Sequence, residues 1–345
     1  MTPAERLARL IRATGPISLA AYVAEANAAY YTSRDPLGAA GDFITAPEVS
    51  QMFGELIGLW LAEVWIRAGR PAPVAYVELG PGRGTLAADA LRAMARFGLL
   101  PQVHFVESSP VLAAAQRERV PQACWHSDAG SLPDGLPLLI VANEFLDALP
   151  VRQLVHTAAG WRERMVALDG ERFVPVAGQA PMDAALPAER RQAGEGAIVE
   201  TCPAAAAVVG DLARRLAAQG GAALLIDYGY ATPANGSSLQ AVRGHAKVDP
   251  FADPGSADLT ALVDFAAMAD AARAGGARHL GTIGQGDFLA GMGIAERAGA
   301  LARARPDQAE VLMRALERLT SPDQMGRLFK VMGLAAPDWP GGMVF

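Results

Sequence analysis

The chain has 345 residues, of which 51% are hydrophobic and 19% charged, and its net charge is −6. Those proportions exclude a disordered chain, and an acidic balance with no basic stripe excludes a nucleic-acid backbone as the main partner. No apolar run is long enough to cross a bilayer, and the two cysteines, Cys124 and Cys202, lack disulfide or metal-ligand spacing, so both are expected as reduced thiols in a cytoplasmic protein without stable membrane insertion.

Length alone suggests about two domains. Helices are predicted over 3–13 and 18–29, broken at Gly15-Pro16. Arg6, Arg9 and Arg12 give the first helix the look of a transit peptide, but Glu5 and Glu25 interrupt it, so a native helix is expected. A loop over 31–47 leads to a helix over 48–68, apolar on nearly every side and carrying Trp60 and Trp65. That pattern is compatible with internal burial or with the face of a homodimer. Alternating units follow: strand 74–79, helix 85–97, strand 103–107, helix 110–119, a short strand near 123–126 and strand 138–142. Residues 150–200 read as strands and turns, with hairpin candidates at Gly160-Trp161 and Asp169-Gly170. Helix 204–218, strand 222–227 and helical stretches over 258–273 and 307–320 complete the chain. Strands alternating with helices predict a doubly wound, mainly parallel α/β sheet. The expected organisation is a helical cap over 1–70, a first core part over 71–149, an inserted region over 150–203 and the remaining core over 204–345.

The sequence Glu78-Leu-Gly-Pro-Gly-Arg-Gly84 stands between strand and helix. Glycines at 80, 82 and 84 permit positive φ and close approach to a ligand. A dinucleotide fingerprint needs a further glycine at 85, where Thr85 stands. The spacing instead matches the first motif of class I S-adenosylmethionine (SAM) methyltransferases, and Glu78 suits a cationic ligand. In an open α/β sheet ligands sit at the carboxyl ends of the strands, so the polar residues ending each strand form one group. Glu107 is placed to accept hydrogen bonds from ribose hydroxyls or to assist the helix cap at Ser108 or Ser109. Asp128 is placed to hold an adenine amino group or to open the turn before Gly130. Asn143, Glu144 and Asp147 end the fourth strand, where an acceptor would be presented; Asp227 is a turn aspartate or a direct participant. Thr45 to Glu48 form a capping box, and Asp258 is expected to cap the helix that follows it, which leaves Asp42 and Asp264 without a local reason. The five histidines show no ligand spacing, so no metal is expected; His245 alone sits in a loop where substrate could be met.

The blocks Tyr30-Tyr31…Asp35-Pro-Leu-Gly38…Gly41-Asp-Phe-Ile-Thr-Ala-Pro-Glu-Val-Ser-Gln-Met-Phe-Gly54, Glu78-Leu-Gly-Pro-Gly-Arg-Gly-Thr-Leu86, Asn143-Glu-Phe-Leu-Asp-Ala-Leu-Pro150, Ser256-Ala-Asp-Leu-Thr260 with Val263-Asp-Phe265, and Met325-Gly-Arg-Leu-Phe-Lys-Val-Met332 occur in order along the chain. Together they resemble the MidA-type methyltransferases, bacterial relatives of the mitochondrial complex I assembly-factor arginine methyltransferase. The resemblance implies a seven-stranded SAM-methyltransferase fold with a family insertion, SAM as cofactor, and methylation of arginine on a protein such as a respiratory complex I subunit. From the loop and the strand ends, Glu78, Gly80, Gly82, Gly84, Glu107, Asp128 and Asn143 are expected to bind the cofactor, and Glu144 and Asp147 to grip the acceptor guanidinium, with Asp42 or Glu48 closing over the site from the cap. Leu262 departs from the acid expected in the relatives. Alternatives that stay open are an assembly chaperone retaining SAM as a structural ligand, a small-molecule methyltransferase and a Rossmann oxidoreductase.

Overall fold

The computed structural model describes residues 1–33, 45–186, 190–244 and 246–345; Gly41, Asp42, Phe43 and His245 lie outside these. Seven strands build the central sheet: β1 (Ala75–Leu79), β2 (Gln102–Val106), β3 (Cys124–His126), β4 (Leu138–Asn143), β5 (Gly221–Tyr230), β6 (Arg278–Gly284) and β7 (Phe329–Ala335). Their spatial order is β6-β7-β5-β4-β1-β2-β3. β1 to β5 run parallel, and β7 enters antiparallel between β5 and β6. An eighth, two-residue strand, Val263–Asp264, pairs with the end of β5. The expected doubly wound, mainly parallel sheet is therefore present, with one short strand added.

Side chains alternate across a strand, and here both faces are covered. Tyr76, Leu139, Val141, Leu224 and Ile226 face helices Gln51–Arg67 and Thr85–Ala95. Val77, Ile140, Ala223 and Leu225 face helices Pro203–Gln219 and Phe265–Ala274. This explains why β1 and β4 read as apolar runs interrupted only by Glu78 and Asn143: every residue in them is buried.

The apolar helix expected over 48–68 is two helices, Ala46–Val49 and Gln51–Arg67. Ser50 between them is extended and caps the second, its hydroxyl accepting the N–H of Met52 at 3.3 Å. Gly58 lets this helix cross Thr85–Ala95 backbone to backbone, since a Cβ there would lie 2.4 Å from the carbonyl oxygen of Ala90. Trp60 and Trp65 are buried within the chain and donate their indole N–H groups to the carbonyls of Met343 (3.0 Å) and Pro71 (2.9 Å).

Residues 3–33 pack elsewhere. Helices Pro3–Thr14 and Leu19–Ser33 form a separate core with the inserted strands, in which Leu7, Ile11, Tyr22 and Val23 meet Val151, Val166 and Phe173. Ile17 and Ser18 join the inserted sheet edge, Ile17 opposite Val166. The two expected hairpins are present, with Thr157 opposite Gly160 and Asp169 opposite Arg172. The helix expected over 258–273 begins only at Phe265; Asp258–Thr260 is a strand of a small three-stranded sheet. Among the described residues no helix is long and apolar enough to cross a membrane.

Candidate active site

The carboxyl ends of β1, β2, β4 and β5 open onto one cavity of about 690 Å3, within the size range of small-molecule sites. Glu48, Glu78, Gly80, Gly82, Glu107, Asp128, Asn143, Glu144 and Asp147 all line it. Gly84 does not; it ends the loop at φ +77 and starts the following helix. Seven carboxylates face the cavity, those of Glu48, Glu78, Glu107, Asp128, Glu144, Asp147 and Asp258, against one described cation, Arg83. Such a lining selects a positively charged ligand.

The glycine loop leaves β1 with Gly80 at φ +61 and Gly82 at φ +54. The Gly80 N–H donates to the Val106 carbonyl at 3.0 Å, and a Cβ at Gly80 would approach the Phe145 ring to 3.0 Å. Gln116 fixes the far side, donating to the Gly82 carbonyl at 2.7 Å and to Glu107 at 3.0 Å. Glu107 also accepts the Ser109 N–H at 2.6 Å, while the Ser109 hydroxyl caps helix Pro110–Arg119. Asp128 likewise combines both readings, facing the cavity while one oxygen accepts the Gly130 N–H at 2.8 Å. Glu78 is buried against the Tyr76 hydroxyl, which donates to it at 2.5 Å, and burial pushes its pKa up to about 7.

Beyond β4 the chain reverses at Glu144, whose φ of +49 is uncommon for a residue with a side chain. Asp227, within β5, holds that reversal, one oxygen accepting the N–H groups of Phe145 (3.2 Å), Leu146 (2.9 Å) and Asp147 (3.2 Å). Asp227 is thus the turn aspartate. Burial, and then the charge of Asp147, raise the Glu144 pKa to about 7. The Asp147 pKa rises to about 6 through burial, opposed by the hydrogen bond from the Tyr228 hydroxyl. Asn143 Oδ1 and Asp147 Oδ1 are buried without a hydrogen-bond partner among the described residues. The orphaned Asn143 oxygen, the positive-φ glycines and the acidic lining fit a cationic nucleoside such as SAM.

Two local expectations are corrected. Thr45 makes no side-chain cap, and Glu48 closes no capping box; its carboxylate instead accepts the Thr85 hydroxyl at 2.5 Å, tying the cap to the glycine loop. Asp258 caps no helix; Asp264 does, accepting the Ala267 N–H at 3.1 Å. Asp258 is buried at the cavity wall and accepts the Tyr31 hydroxyl at 2.9 Å. Tyr31, Tyr228, Thr85 and Asp258 are lining residues the sequence reading missed. Only Tyr228, next to a strand-ending aspartate, carried a local signal.

Residues 56–283 match the family described as "Putative S-adenosyl-L-methionine-dependent methyltransferase". The chain is 38% identical to the mitochondrial protein arginine methyltransferase NDUFAF7 homolog of Drosophila melanogaster, over 96% of this chain and 84% of that protein. It is 36% identical to the human protein arginine methyltransferase NDUFAF7, over 94% and 81%. Its structure is similar to that of a COG1565 superfamily member from Burkholderia thailandensis bound to S-adenosyl-homocysteine, with 29% identity, a TM-score of 0.84 and coverage of 96% and 91%. The family match, the sequence identities and the overall structural similarity agree, and the chain belongs to this family of SAM-dependent methyltransferases.

Proposed function

We propose that this protein methylates arginine side chains of a protein acceptor, a respiratory complex I subunit or a similar protein, in the cytoplasm. The observation that carries the reading is the pair of carboxylates at the end of β4, Glu144 half-buried and Asp147 buried, beside the glycine loop and facing the same cavity. The names of the relatives support arginine as the acceptor, and two free thiols are in keeping with a reducing compartment.

SAM, when bound, supplies an electrophilic methyl group on a sulfonium. Glu78 and the backbone of Gly80 and Gly82 would hold its amino-acid part, Glu107 the ribose, and Asp128 with Asn143 the rest of the nucleoside. A guanidinium is a poor nucleophile because its charge is delocalised and its pKa exceeds about 12. Glu144 and Asp147 grip it and draw positive charge away from the attacking nitrogen. Asp147 Oδ1, free of other described partners, accepts the proton that this nitrogen loses. Glu48, anchored on Thr85, fixes the cap against the loop.

The test is transfer from labelled SAM to arginine-containing respiratory subunits, with methylarginine identified by mass spectrometry. Glu144→Gln should abolish transfer and leave SAM affinity nearly intact. Full turnover by that variant sinks the assignment, and label on no arginine sinks the function.

A further inference from the structure

The acceptor wall of the cavity contains a second carboxylate–phenol pair. We propose that Asp147 and Asp258, each receiving a tyrosine hydroxyl, together form the seat of the acceptor guanidinium, and that the rings of Tyr31 and Tyr228 line that seat. This inference rests on the arginine-methylation reading and adds Asp258, Tyr31 and Tyr228 to it.

The two carboxylates come from different elements and are tied into one unit. Asn27, on helix Leu19–Ser33, donates to the carbonyls of Ala148 (2.9 Å) and Leu259 (2.8 Å) and accepts the Leu259 N–H at 3.0 Å. The Ala261 N–H donates to the Asp147 carbonyl at 3.1 Å. Strand 258–260, the 144–147 turn and the helix bearing Tyr31 are thereby locked together. The Tyr31 hydroxyl donates to Asp258 Oδ2 at 2.9 Å, and the Tyr228 hydroxyl donates to Asp147 Oδ2. Each ring is held edge-on by a neighbour, Tyr31 by Tyr30 at 5.2 Å and Tyr228 by Phe329 at 5.4 Å between centroids.

What points to a ligand here is Asp147. It is 6% exposed, lines the cavity, pairs with no described arginine or lysine, and keeps Oδ1 without a hydrogen-bond partner. A buried carboxylate oxygen left without a donor is costly unless a ligand supplies one. Two carboxylates from separate elements, lining one cavity with two tyrosine rings, match a flat cation that donates along its edges and stacks on rings. A lysine ammonium is a compact point charge and uses only part of that arrangement.

The experiment uses the full chain saturated with S-adenosyl-homocysteine. Calorimetry would compare N-acetyl-arginine amide with N-acetyl-lysine amide on wild type, Asp258→Asn and Tyr31→Phe, and methyl transfer to an arginine peptide would be measured in parallel. Wild type should prefer the arginine compound, and Asp258→Asn should weaken its binding about tenfold or more, the scale of one charge-assisted hydrogen bond, at unchanged S-adenosyl-homocysteine affinity. Tyr31→Phe, which removes only a hydroxyl, keeps the question answerable if Asp258→Asn does not fold, and should weaken binding a few-fold. No preference for arginine in wild type, or equal arginine affinity in both variants, overturns the seat. Guanidinium binding without transfer by wild type would retain the seat and remove the methylation reading. Transfer by Asp258→Asn at unchanged KM would do the reverse.

Discussion

Asp227 fixes Asp147 without lining the cavity itself: its Oδ2 accepts the Asp147 N–H at 3.2 Å, together with those of Phe145 and Leu146. Its other oxygen accepts the Tyr228 N–H at 2.9 Å. The residue acts on the chemistry only through the loop it holds. Asp227→Ala leaves these buried N–H groups without an acceptor, which should cost about 3 kcal/mol or more. Urea denaturation checks the stability, and transfer should fall with it. A variant as stable as wild type would remove this scaffolding role.

Gly82→Val tests the cofactor loop. The backbone there has φ +54, a region a β-branched residue rarely adopts, and its carbonyl already accepts from Gln116 at 2.7 Å. SAM affinity by calorimetry should drop about 100-fold or more, close to 2.7 kcal/mol. Retained affinity would mean that the cofactor does not rest on this loop.

The buried carboxylates make ligand-free stability depend on pH in a definite direction. Glu78 and Glu144 sit at about 7 and Asp147 at about 6, raised from 4.5, 4.5 and 3.8. Between the lower and upper values the folded state binds more protons than the unfolded chain, so stability falls as pH rises. The melting temperature without ligand should therefore be lower at about pH 8 than at about pH 5.5, and the opposite trend would exclude buried, raised carboxylates. Methyl transfer should rise over the same interval, because a cation is held by ionised carboxylates.

Glu144→Gln separates stability from activity. The amide keeps an oxygen for the Ala46 N–H, which donates to Glu144 at 3.2 Å, and removes a charge that burial opposes. At about pH 8 the variant should be more stable by about 1–3 kcal/mol while losing transfer. Lower stability would show that the ionised carboxylate holds the fold together.

Thr85→Val removes the hydroxyl that donates to Glu48 at 2.5 Å. Loss of one such bond costs about 1 kcal/mol, and SAM affinity should stay within a few-fold of wild type while transfer slows. Unchanged transfer would detach Glu48 from the reaction.

The strand-loop-helix units from β1 to β5 were legible because their signals are local. β1 and β4 are apolar runs, the glycine loop has its own spacing, and the chain rule for open α/β sheets gathers Glu78, Glu107, Asn143 and Glu144 at one edge. Neither β6 nor β7 was placed from periodicity, β6 being half-buried with glycines at 281 and 284 and β7 almost wholly buried; the family resemblance implied seven strands without locating these two. The two aspartates at 258 and 264 show the other limit. In sequence Asp258 looks like the helix cap and Asp264 has no evident role, and only packing decides that Asp264 starts the helix while Asp258 faces the cavity beside Tyr31, a residue 227 positions away. Sequence by itself determined the sheet type, the cofactor loop and the acidic character of the site, since these follow from residue types at short spacing. Tertiary structure alone decided the positive φ of Glu144, the grip of Asp227 on its turn and the meeting of Asp147 with Tyr228, because each depends on long-range contacts that no local pattern encodes.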